Sequence, residues 1–403
     1  MNFVFISPNF PENYWMFCRG LKKHGATVLA IVDCPYDSLS KQLKEHIDEC
    51  YVVPSLEDYD ALVRAMGYFT YRYGKIDWVE SNNEYWLAQD ARLRRDFHIT
   101  TGITIDHIAD YQSKSRMKQF YAEASIPTAR WQMADTAENA IRFAQTYGYP
   151  IICKPDVGVG ASSTYKLNSE QEIRDCFANG FSQPMLIEEY IPGTCFTFDG
   201  ITNSKKEIQF ATSHHYVGSI MDSVNSQDSI GCYSLIDIPA DILEIGTRCV
   251  RAFPTRSRFF HFEFFRLQED RDGLGKRGDI LGLEVNMRPP GGFLPDMINY
   301  ANQFDIYDIW AQVMIEDHVL IPPHERRSCA FSGRRDNVAY AHTEFEISNR
   351  YGRHLKMMQR LPKALASAMG DTVSVAVFDT MEEVQEFFSY TLEKKHETTG
   401  SDL

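Results

Sequence analysis

The sequence predicts an α/β protein in which an N-terminal parallel sheet is followed by segments of mixed α+β character. Short apolar strands alternate with helical segments over the first hundred residues, which is typical of a parallel sheet layered with helices. A second module begins near Asp110 and contains a strand that ends at Lys154. Farther along, polar and apolar side chains alternate over residues 282–292, as in a strand with one polar face.

The N-terminal elements follow from apolar runs and stop signals. We predict strands over residues 3–6, 27–32, 51–53 and 76–79, and helices over residues 12–24 and 56–73. Ligands bind beyond the carboxyl ends of parallel strands, where Asp33, Glu80 and Glu84 lie. A cap or turn role is favoured for Asp33, and the roles of the two glutamates stay open.

The turn after the first strand argues against a dinucleotide-binding enzyme. Residues 7–11 contain no glycine, so the backbone lacks the close approach that a pyrophosphate needs.

Composition narrows the class of protein further. The chain has 403 residues and a net charge of −14, which disfavours nonspecific binding to nucleic acid or anionic membranes. Its nine cysteines are an odd number without a C-x-x-C pair, which favours reduced thiols over disulfides or zinc. No stretch is long enough for a membrane span, and the first residues resemble a strand rather than a signal peptide. We therefore expect a cytoplasmic protein, with self-association as a homodimer left open.

The second module contains a candidate phosphate-binding loop. We predict helices over residues 113–124 and 137–147 and a strand over residues 151–155, which ends in Lys154 and Pro155. The loop that follows contains small residues that let backbone N–H groups approach phosphate, namely Gly158, Gly160, Ser162 and Ser163. Because glycine turns after strands are common, an ordinary turn is the alternative.

The alternation over residues 282–292 predicts a metal and anion site. On a strand, Glu284, Asn286 and Arg288 would face the same side. Carboxylate and amide oxygens suit Mg²⁺, and a guanidinium suits phosphate or carboxylate. Glu263, within an apolar strand over residues 259–267, would share the metal; the alternative is an ion pair with Arg266 or Arg258. For residues 284–288 the alternative is an ordinary half-exposed strand.

Taken together and in this order, the segments resemble the ATP-grasp superfamily. The resemblance rests on Lys114, Lys154, the loop at residues 158–163, the run Glu188-Glu189-Tyr190-Ile191, Glu263 and the element Glu284-x-Asn286-x-Arg288. It implies an N-terminal α/β domain over residues 1–109 and a two-lobed ATP-grasp domain over residues 110–321, with a lid near residues 150–200. A small C-terminal α+β domain would cover residues 322–403.

The resemblance also implies an activity, in which ATP converts a carboxylate into an acyl phosphate and an amine or thiol then displaces phosphate. Lys114, Lys154 and the loop would hold the phosphates, and the backbone of residues 188–191 would meet adenine. Glu263, Glu284 and Asn286 would ligate Mg²⁺ or Mn²⁺, and Arg288 would stabilise the reacting carboxylate. The expected substrates are small carboxylates and amines, with amino acids or peptides first.

Two alternatives remain at this point. One is a biotin-carboxylase-like enzyme that phosphorylates bicarbonate. The other is a catalytically silent nucleotide-binding protein, suggested because Gly193-Thr194-Cys195 has Cys195 where many members have a glutamate. Asp199 is a weak substitute for that glutamate.

Basic and imidazole side chains elsewhere have both functional and structural interpretations. A structural role is favoured over a catalytic one for His214 and His215. A solvated helix face is favoured over a substrate contact for Arg248, Arg251, Arg256 and Arg258.

Overall fold

The structure is a computed structural model that describes residues 1–158, 164–218 and 228–395. It contains a parallel sheet and two antiparallel sheets, as the predicted α/β and α+β fold class requires. The loop residues Gly160, Ser162 and Ser163 lie outside the described residues. No helix in the described ranges is long and apolar enough to cross a lipid bilayer.

The first sheet is parallel and built from N-terminal strands in the order β3-β2-β1-β4. Its strands are β1 (Asn2–Ile6), β2 (Thr27–Val32), β3 (Glu49–Val52) and β4 (Trp78–Glu80). The helices of this part are α1 (Trp15–Lys23), α2 (Lys41–Glu45), α3 (Tyr59–Tyr73) and α4 (Leu87–Asp96). Helix α3 begins later than the apolar pattern suggested, because the Asp58 side chain accepts a hydrogen bond from the Ala61 N–H and caps it there.

A small antiparallel sheet follows, with the strand order β5-β8-β6-β7. Its strands are β5 (Trp131–Met133), β6 (Ile151–Pro155), β7 (Tyr165–Leu167) and β8 (Met185–Glu189). The helices before and beside it are α5 (Ala109–Gln112), α6 (Lys114–Glu123), α7 (Ala137–Tyr147) and α8 (Glu170–Phe177). Strand β6 and helix α7 have the predicted bounds, since a capping threonine and Gly148 delimit the helix.

A large antiparallel sheet completes the fold, in the order β14-β13-β9-β11-β12-β15-β17-β16, with β10 paired to β9. Its strands are β9 (Gly193–Thr202), β10 (Ile208–Thr212), β11 (His214–Val217), β12 (Ile230–Ser234), β13 (Arg258–Leu267), β14 (Ile280–Asn286), β15 (Ser328–Arg334), β16 (Leu355–Arg360) and β17 (Thr372–Phe378). The helices of this part are α9 (Ala240–Ala252), α10 (Leu294–Asn302), α11 (Ile306–Glu316), α12 (Glu344–Tyr351), α13 (Lys363–Met369) and α14 (Met381–Thr391).

The large sheet joins two of the predicted domains. Strands β15, β16 and β17 come from the predicted C-terminal domain, yet they extend the sheet that contains β13 and β14. The three-domain division stays a prediction, but residues 322–395 share a continuous hydrogen-bonded sheet with the residues that precede them.

Residues on β13 alternate between two environments. Phe260, Phe262 and Phe264 point to one side and belong to a fully buried apolar cluster. His261 and Glu263 lie between them and therefore point to the opposite side. This alternation fixes the polar side chains on the face that the small sheet approaches.

The N-terminal sheet is attached to the large sheet by an aromatic cluster. Phe17 of α1 contacts Phe259 of β13 and Trp310 of α11, with ring centroids 6.0 and 4.9 Å away. Helices α1 and α11 pack closely at Gly20, where a Cβ atom would lie 2.9 Å from the Ala311 side chain. The cluster therefore holds the carboxyl end of β4 beside the polar face of the large sheet.

Candidate active site

A cavity of about 450 Å³ lies between the small sheet and the large sheet. Side chains of β6 and β8 line one side, and side chains of β13 and β14 line the other. It brings together most of the residues singled out from the sequence, namely Lys114, Lys154, Glu188, Glu189, Tyr190, Ile191, Glu263, Glu284, Asn286 and Arg288.

Two carboxylates on neighbouring strands face the cavity at the same level. Glu263 on β13 is paired in register with Glu284 on β14, and their side chains are 18% and 19% exposed. Asn286 ends β14 and is buried beside them. The strand pair places three oxygen-bearing side chains in one wall.

The position of β14 depends on a close contact behind it. The Tyr121 hydroxyl donates a hydrogen bond of 3.0 Å to the Glu284 carbonyl, while the Gly282 N–H donates to the Pro127 carbonyl at 2.8 Å. A Cβ atom at Gly282 would lie 2.6 Å from the Tyr121 ring. The absence of a side chain at Gly282 therefore lets β14 pack closely against the buried Tyr121, and this contact fixes the position of Glu284 in the cavity wall.

Arg288 lies beyond the end of β14, so it is not part of the strand as the alternation predicted. Its side chain nevertheless reaches back, because Nη2 donates to Asn286 Oδ1 at 3.3 Å and Nη1 donates to the Pro289 carbonyl at 2.9 Å. Its Nε atom lies 3.2 Å from Glu84 Oε2. Burial raises the pKa of Glu84, and the charge of Arg288 opposes that rise. The open question about Glu84 is thus answered: it pairs with the candidate catalytic arginine.

Lys114 stands at the start of α6 and connects the two sides of the cavity. Its Nζ atom lies 3.4 Å from Glu284 Oε1 and donates to the Gly158 carbonyl at 2.9 Å. Asp156, which follows β6, receives hydrogen bonds from Ser113 Oγ and the Ser115 N–H at 2.8 and 2.7 Å. This carboxylate satisfies the N-terminus of α6 and holds Lys114 beside the loop that follows Lys154.

Glu188 lies between two buried lysines at the end of the cavity formed by the small sheet. Lys154 Nζ donates to Glu188 Oε1, and Lys118 Nζ lies 3.0 Å from Glu188 Oε2. Burial alone would raise the pKa of Glu188, but the charges of both lysines outweigh it and lower that pKa to about 2. Burial lowers the pKa of Lys118, whereas Glu188 outweighs burial at Lys154 and raises its pKa.

Lys118 was missed in the sequence analysis. It lies four residues after Lys114 on the same helix, so both side chains project from one face of α6. That spacing was the available signal, since a helix that presents one lysine to a ligand presents the second as well.

The segment after Glu189 leaves the sheet and lines the cavity with Tyr190 and Ile191. Glu188 itself is on the central strand, paired with Trp131 on one side and Ile152 on the other. Because neighbouring strands flank Glu188 on both sides, its side chain is the part that reaches the cavity. Main-chain atoms that a ligand could contact begin after the end of β8. The Glu189 side chain contacts arginines instead, with Arg130 Nη1 at 2.9 Å from Oε2.

A buried histidine–aspartate cluster lies behind Glu263. His261 Nε2 is 3.1 Å from Glu263 Oε1, and His261 Nδ1 is hydrogen bonded to Asp199, whose other oxygen is 2.6 Å from His214 Nδ1. Burial would lower the pKa of His261, but Asp199 outweighs it and raises that pKa to about 9. His261 lines the cavity and was missed, although it stands two residues before Glu263 on the same strand face.

This cluster bears on two alternatives that the sequence left open. Asp199 does not substitute for a nucleotide-binding glutamate, because it is fully buried and occupied by the two histidines. Glu263 does not pair with an arginine: Arg266 lies 2.7 Å from Asp241, and Arg258 is engaged elsewhere. The favoured structural role of His214 agrees with its full burial.

The expectation of a solvated basic face is wrong for two of its arginines. Arg258 is buried on β13, where it donates to the Met287 carbonyl at 2.8 Å and lies 3.8 Å from Glu80. Arg248 donates to the Ala124 carbonyl and is half-buried. Glu80 also pairs with Arg94 of α4 at 2.9 Å. Because it contacts Arg258 as well, Glu80 connects the N-terminal sheet to β13 rather than lining the cavity.

The chain is similar to known proteins in sequence and in fold. A family model for the carbamoyl-phosphate synthase L chain, ATP binding domain, matches residues 113–194. The L-amino acid ligase from Bacillus licheniformis superposes with a TM-score of 0.72 at 13% identity, over 98% of this chain and 99% of that one. Residues 113–194 thus match an ATP-binding family, and the fold of the whole chain resembles that of a ligase.

Other similar proteins are also distant in sequence. The N5-carboxyaminoimidazole synthetase from Staphylococcus aureus, solved with ADP, has a TM-score of 0.69 at 13% identity over 97% of both chains. An L-arginine-specific L-amino acid ligase of Bacillus subtilis is 21% identical over 76% of this chain and 74% of its own length. An arginine-specific carbamoyl phosphate synthase large chain of Halalkalibacterium halodurans is 28% identical over 25% of this chain, which spans only 10% of that relative.

The donor set of the candidate site fits a metal ion that arrives with phosphate. Among the described residues, no group of three or more His, Cys, Asp or Glu side chains could hold a metal by itself. Glu263, Glu284 and Asn286 offer oxygen atoms only, and Mg²⁺ commonly takes one or two protein carboxylates together with water and substrate phosphates. The residues therefore suit Mg²⁺ bound with a nucleotide better than a resident metal centre.

Proposed function

We propose that this chain is an ATP-dependent ligase that activates the carboxylate of a small molecule and couples it to an amine, with amino acids as the first class of substrate. One observation carries the proposal. Two in-register carboxylates, an amide and an arginine form one wall of a cavity whose opposite wall contains buried lysines. That arrangement combines metal ligands, phosphate contacts and a carboxylate contact within a single enclosed volume.

The lysines would bind the phosphates of ATP. Lys154 precedes the loop that begins at Asp156, Lys114 donates to the Gly158 carbonyl of that loop, and Lys118 adds a third ammonium. In the enclosed cavity these charges act more strongly on phosphate oxygens than they would in water. Main-chain atoms of Tyr190 and Ile191, which lie beyond the end of β8, are available to the adenine edge.

Glu263, Glu284 and Asn286 would hold Mg²⁺ against the phosphates. The ion would neutralise charge on the transferring phosphoryl group. In the described structure Lys114 lies 3.4 Å from Glu284, so it partly compensates this carboxylate. When the ion is bound, Lys114 would be released to contact phosphate.

Arg288 would bind the substrate carboxylate and stabilise the charge of the acyl phosphate. Its guanidinium is fixed on one side by Asn286 and on the other by Glu84, so it is held in place before substrate arrives. Such a preorganised donor lowers the barrier without reorganisation during the reaction.

Known relatives support the class of reaction and leave its substrates open. Two of the similar proteins are described as L-amino acid ligases, one of them L-arginine-specific. Identity of 21% or less does not transfer the specificity of a binding pocket, because specificity depends on individual side chains.

The proposal is tested by measuring ADP release with Mg²⁺ across pairs of amino acids. We expect release that requires both a carboxylate and an amine, and that falls by at least about a hundredfold in Glu284→Gln, on the scale of a lost transition-state charge contact. Arg288→Ala should lose acyl-phosphate formation while keeping its affinity for ATP. Glu170→Gln, on the exposed surface of α8, is the matched control and should retain full activity.

Three results would contradict the proposal. Near-normal ADP release by Glu284→Gln would overturn the metal assignment. Loss of ATP binding without loss of chemistry in Arg288→Ala would overturn the role of that arginine. Release that depends on bicarbonate and not on any amine would replace the ligase with a carboxylating enzyme.

A further inference from the structure

The cavity continues past the metal-binding wall into an apolar end. Along the large sheet, the strands that follow β9 are β11, β12 and β15. Tyr216, Cys232 and Phe331 are paired in register across these three strands, and all of them line the cavity. The cavity wall formed by the large sheet therefore changes along the sheet, from carboxylates on β13 and β14 to aromatic and apolar side chains on β11, β12 and β15.

Two helices from the C-terminal half of the chain close this end. Helix α10 contributes Phe293, which precedes its first residue, and Met297, while α13 contributes Leu365 and Met369. The Phe293 ring lies 6.3 Å from the Phe331 ring of the sheet. The side chains described at this end are uncharged, namely Tyr216, Cys232, Phe293, Met297, Phe331, Leu365 and Met369.

These residues belong to an apolar core cluster that borders the cavity. Cys232, Met297 and Phe331 are buried, whereas Phe293 and Met369 are half-buried and pack against them. Apolar surface that is enclosed but not covered by protein favours a ligand that removes it from water. A small polar acid would leave this surface hydrated.

The apolar end begins close to the candidate carboxylate contact. A Cβ atom at Gly292 would lie 2.4 Å from Met369 Cε, so the Met369 side chain rests directly on the backbone there. Gly292 has a φ of 62°, a conformation that favours glycine. It is four residues after Arg288, which places the two within about 14 Å at most, given the reach of the chain.

We propose that the carboxylate substrate is an amino acid with a medium or large apolar side chain. Its carboxylate contacts Arg288, and its side chain lies among Phe331, Met297 and Met369. This inference rests on the proposed ligase function and adds the class of acid that is activated.

The test uses hydroxylamine as the nucleophile, because it traps the acyl phosphate as a hydroxamate and so reports the acid alone. With ATP and Mg²⁺, methionine, leucine and phenylalanine should give hydroxamate with kcat/KM at least about tenfold above that of glycine, serine, aspartate and lysine, the scale of discrimination that an apolar pocket provides. Equal or better use of the polar acids would overturn the inference while leaving the ligase function intact. Hydroxamate and ADP formation from none of the acids would overturn both.

Variants separate this pocket from a general effect on folding. Met369→Ala should favour phenylalanine over methionine by about tenfold relative to the unchanged protein, because it enlarges the apolar end. Met358→Ala is the matched control, since Met358 is also half-buried but packs in a separate cluster around β16 and β17. Leu365→Ala provides a second pocket variant if Met369→Ala does not fold.

Binding without turnover gives an independent readout. With ADP and Mg²⁺ present, phenylalanine should raise the melting temperature more than aspartate does, and Phe331→Ala should abolish the difference. If Met369→Ala and Leu365→Ala both leave the ranking of acids by kcat/KM unchanged, these side chains do not select the substrate. The same conclusion follows if Met358→Ala changes the ranking as much as they do.

Discussion

Replacing Glu188 by glutamine should strongly destabilise the protein in the absence of nucleotide. Glu188 is the only carboxylate within ion-pair distance of Lys118 and Lys154 among the ion pairs of the described residues. All three side chains are at most 7% exposed. The amide keeps the shape of the side chain and removes the charge, so two buried ammonium groups lose their partner.

The magnitude follows from the pKa of Glu188. The two lysines lower it from 4.5 to about 2, which corresponds to roughly 3 kcal/mol of stabilisation at neutral pH. Because the pKa is lower in the folded state, this contribution is complete above about pH 4.5 and is lost as the pH falls towards 2. Removing one partner from a buried ion pair commonly costs about 3–5 kcal/mol, which agrees with this value.

The assay is urea unfolding at pH 7, followed by fluorescence and compared with Glu170→Gln. Glu170 pairs with Arg174 on the surface, where both side chains are at least 45% exposed, so its loss should cost less than about 1 kcal/mol. Adding Lys118→Met to Glu188→Gln should recover part of the lost stability, because it removes one uncompensated charge. A free energy of unfolding for Glu188→Gln within about 1 kcal/mol of the unchanged protein would refute the reasoning.

Three further predictions concern other parts of the molecule. Gly282→Ala should lower the free energy of unfolding by about 1–3 kcal/mol in urea, because its Cβ would overlap the rigid Tyr121 ring; an unchanged midpoint would contradict this contact. Glu84→Gln should raise the KM for the acid more than the KM for ATP, because Arg288 loses its ionic partner; equal increases would assign the pair to structure alone. Burial raises the pKa of Asp296 to about 6, so the folded state binds this proton more tightly than the unfolded state does. The free energy of unfolding should therefore fall as the pH rises from about 4 to about 6, by up to roughly 3 kcal/mol. Asp296→Asn should flatten that part of the unfolding profile, and an identical profile would remove Asp296 as its cause.

Much of the candidate metal-binding wall could be predicted from the sequence, because it depends on local periodicity. The alternation on β13 and β14 sets which side chains share a face, and the two strands pair in register. Helix α7 and strand β6 were also predicted with the bounds they have, since capping and apolar runs are local signals.

The remaining contacts depend on tertiary packing, which periodicity does not encode. Glu84 reaches Arg288 only because the N-terminal sheet is packed on β13 through the aromatic cluster around Phe17. Arg258 looked like a surface residue because it follows three other arginines, but the register of β13 places it in the interior. Such residues are identified only when sheets that are distant in the sequence have been brought together.

Under the proposed function, the contacts to phosphate and to the acid come from separate stretches of the chain. The segment that matches the ATP-binding family model, residues 113–194, contains the lysines, whereas the apolar end is built from residues between 216 and 369. Substitutions at the apolar end of the second stretch are therefore expected to change the acid that is activated without touching the lysines of the first stretch. Paralogues of this chain that conserve the first stretch and vary at positions 297, 331 and 369 are expected to form a series with one phosphate-transfer chemistry and different products.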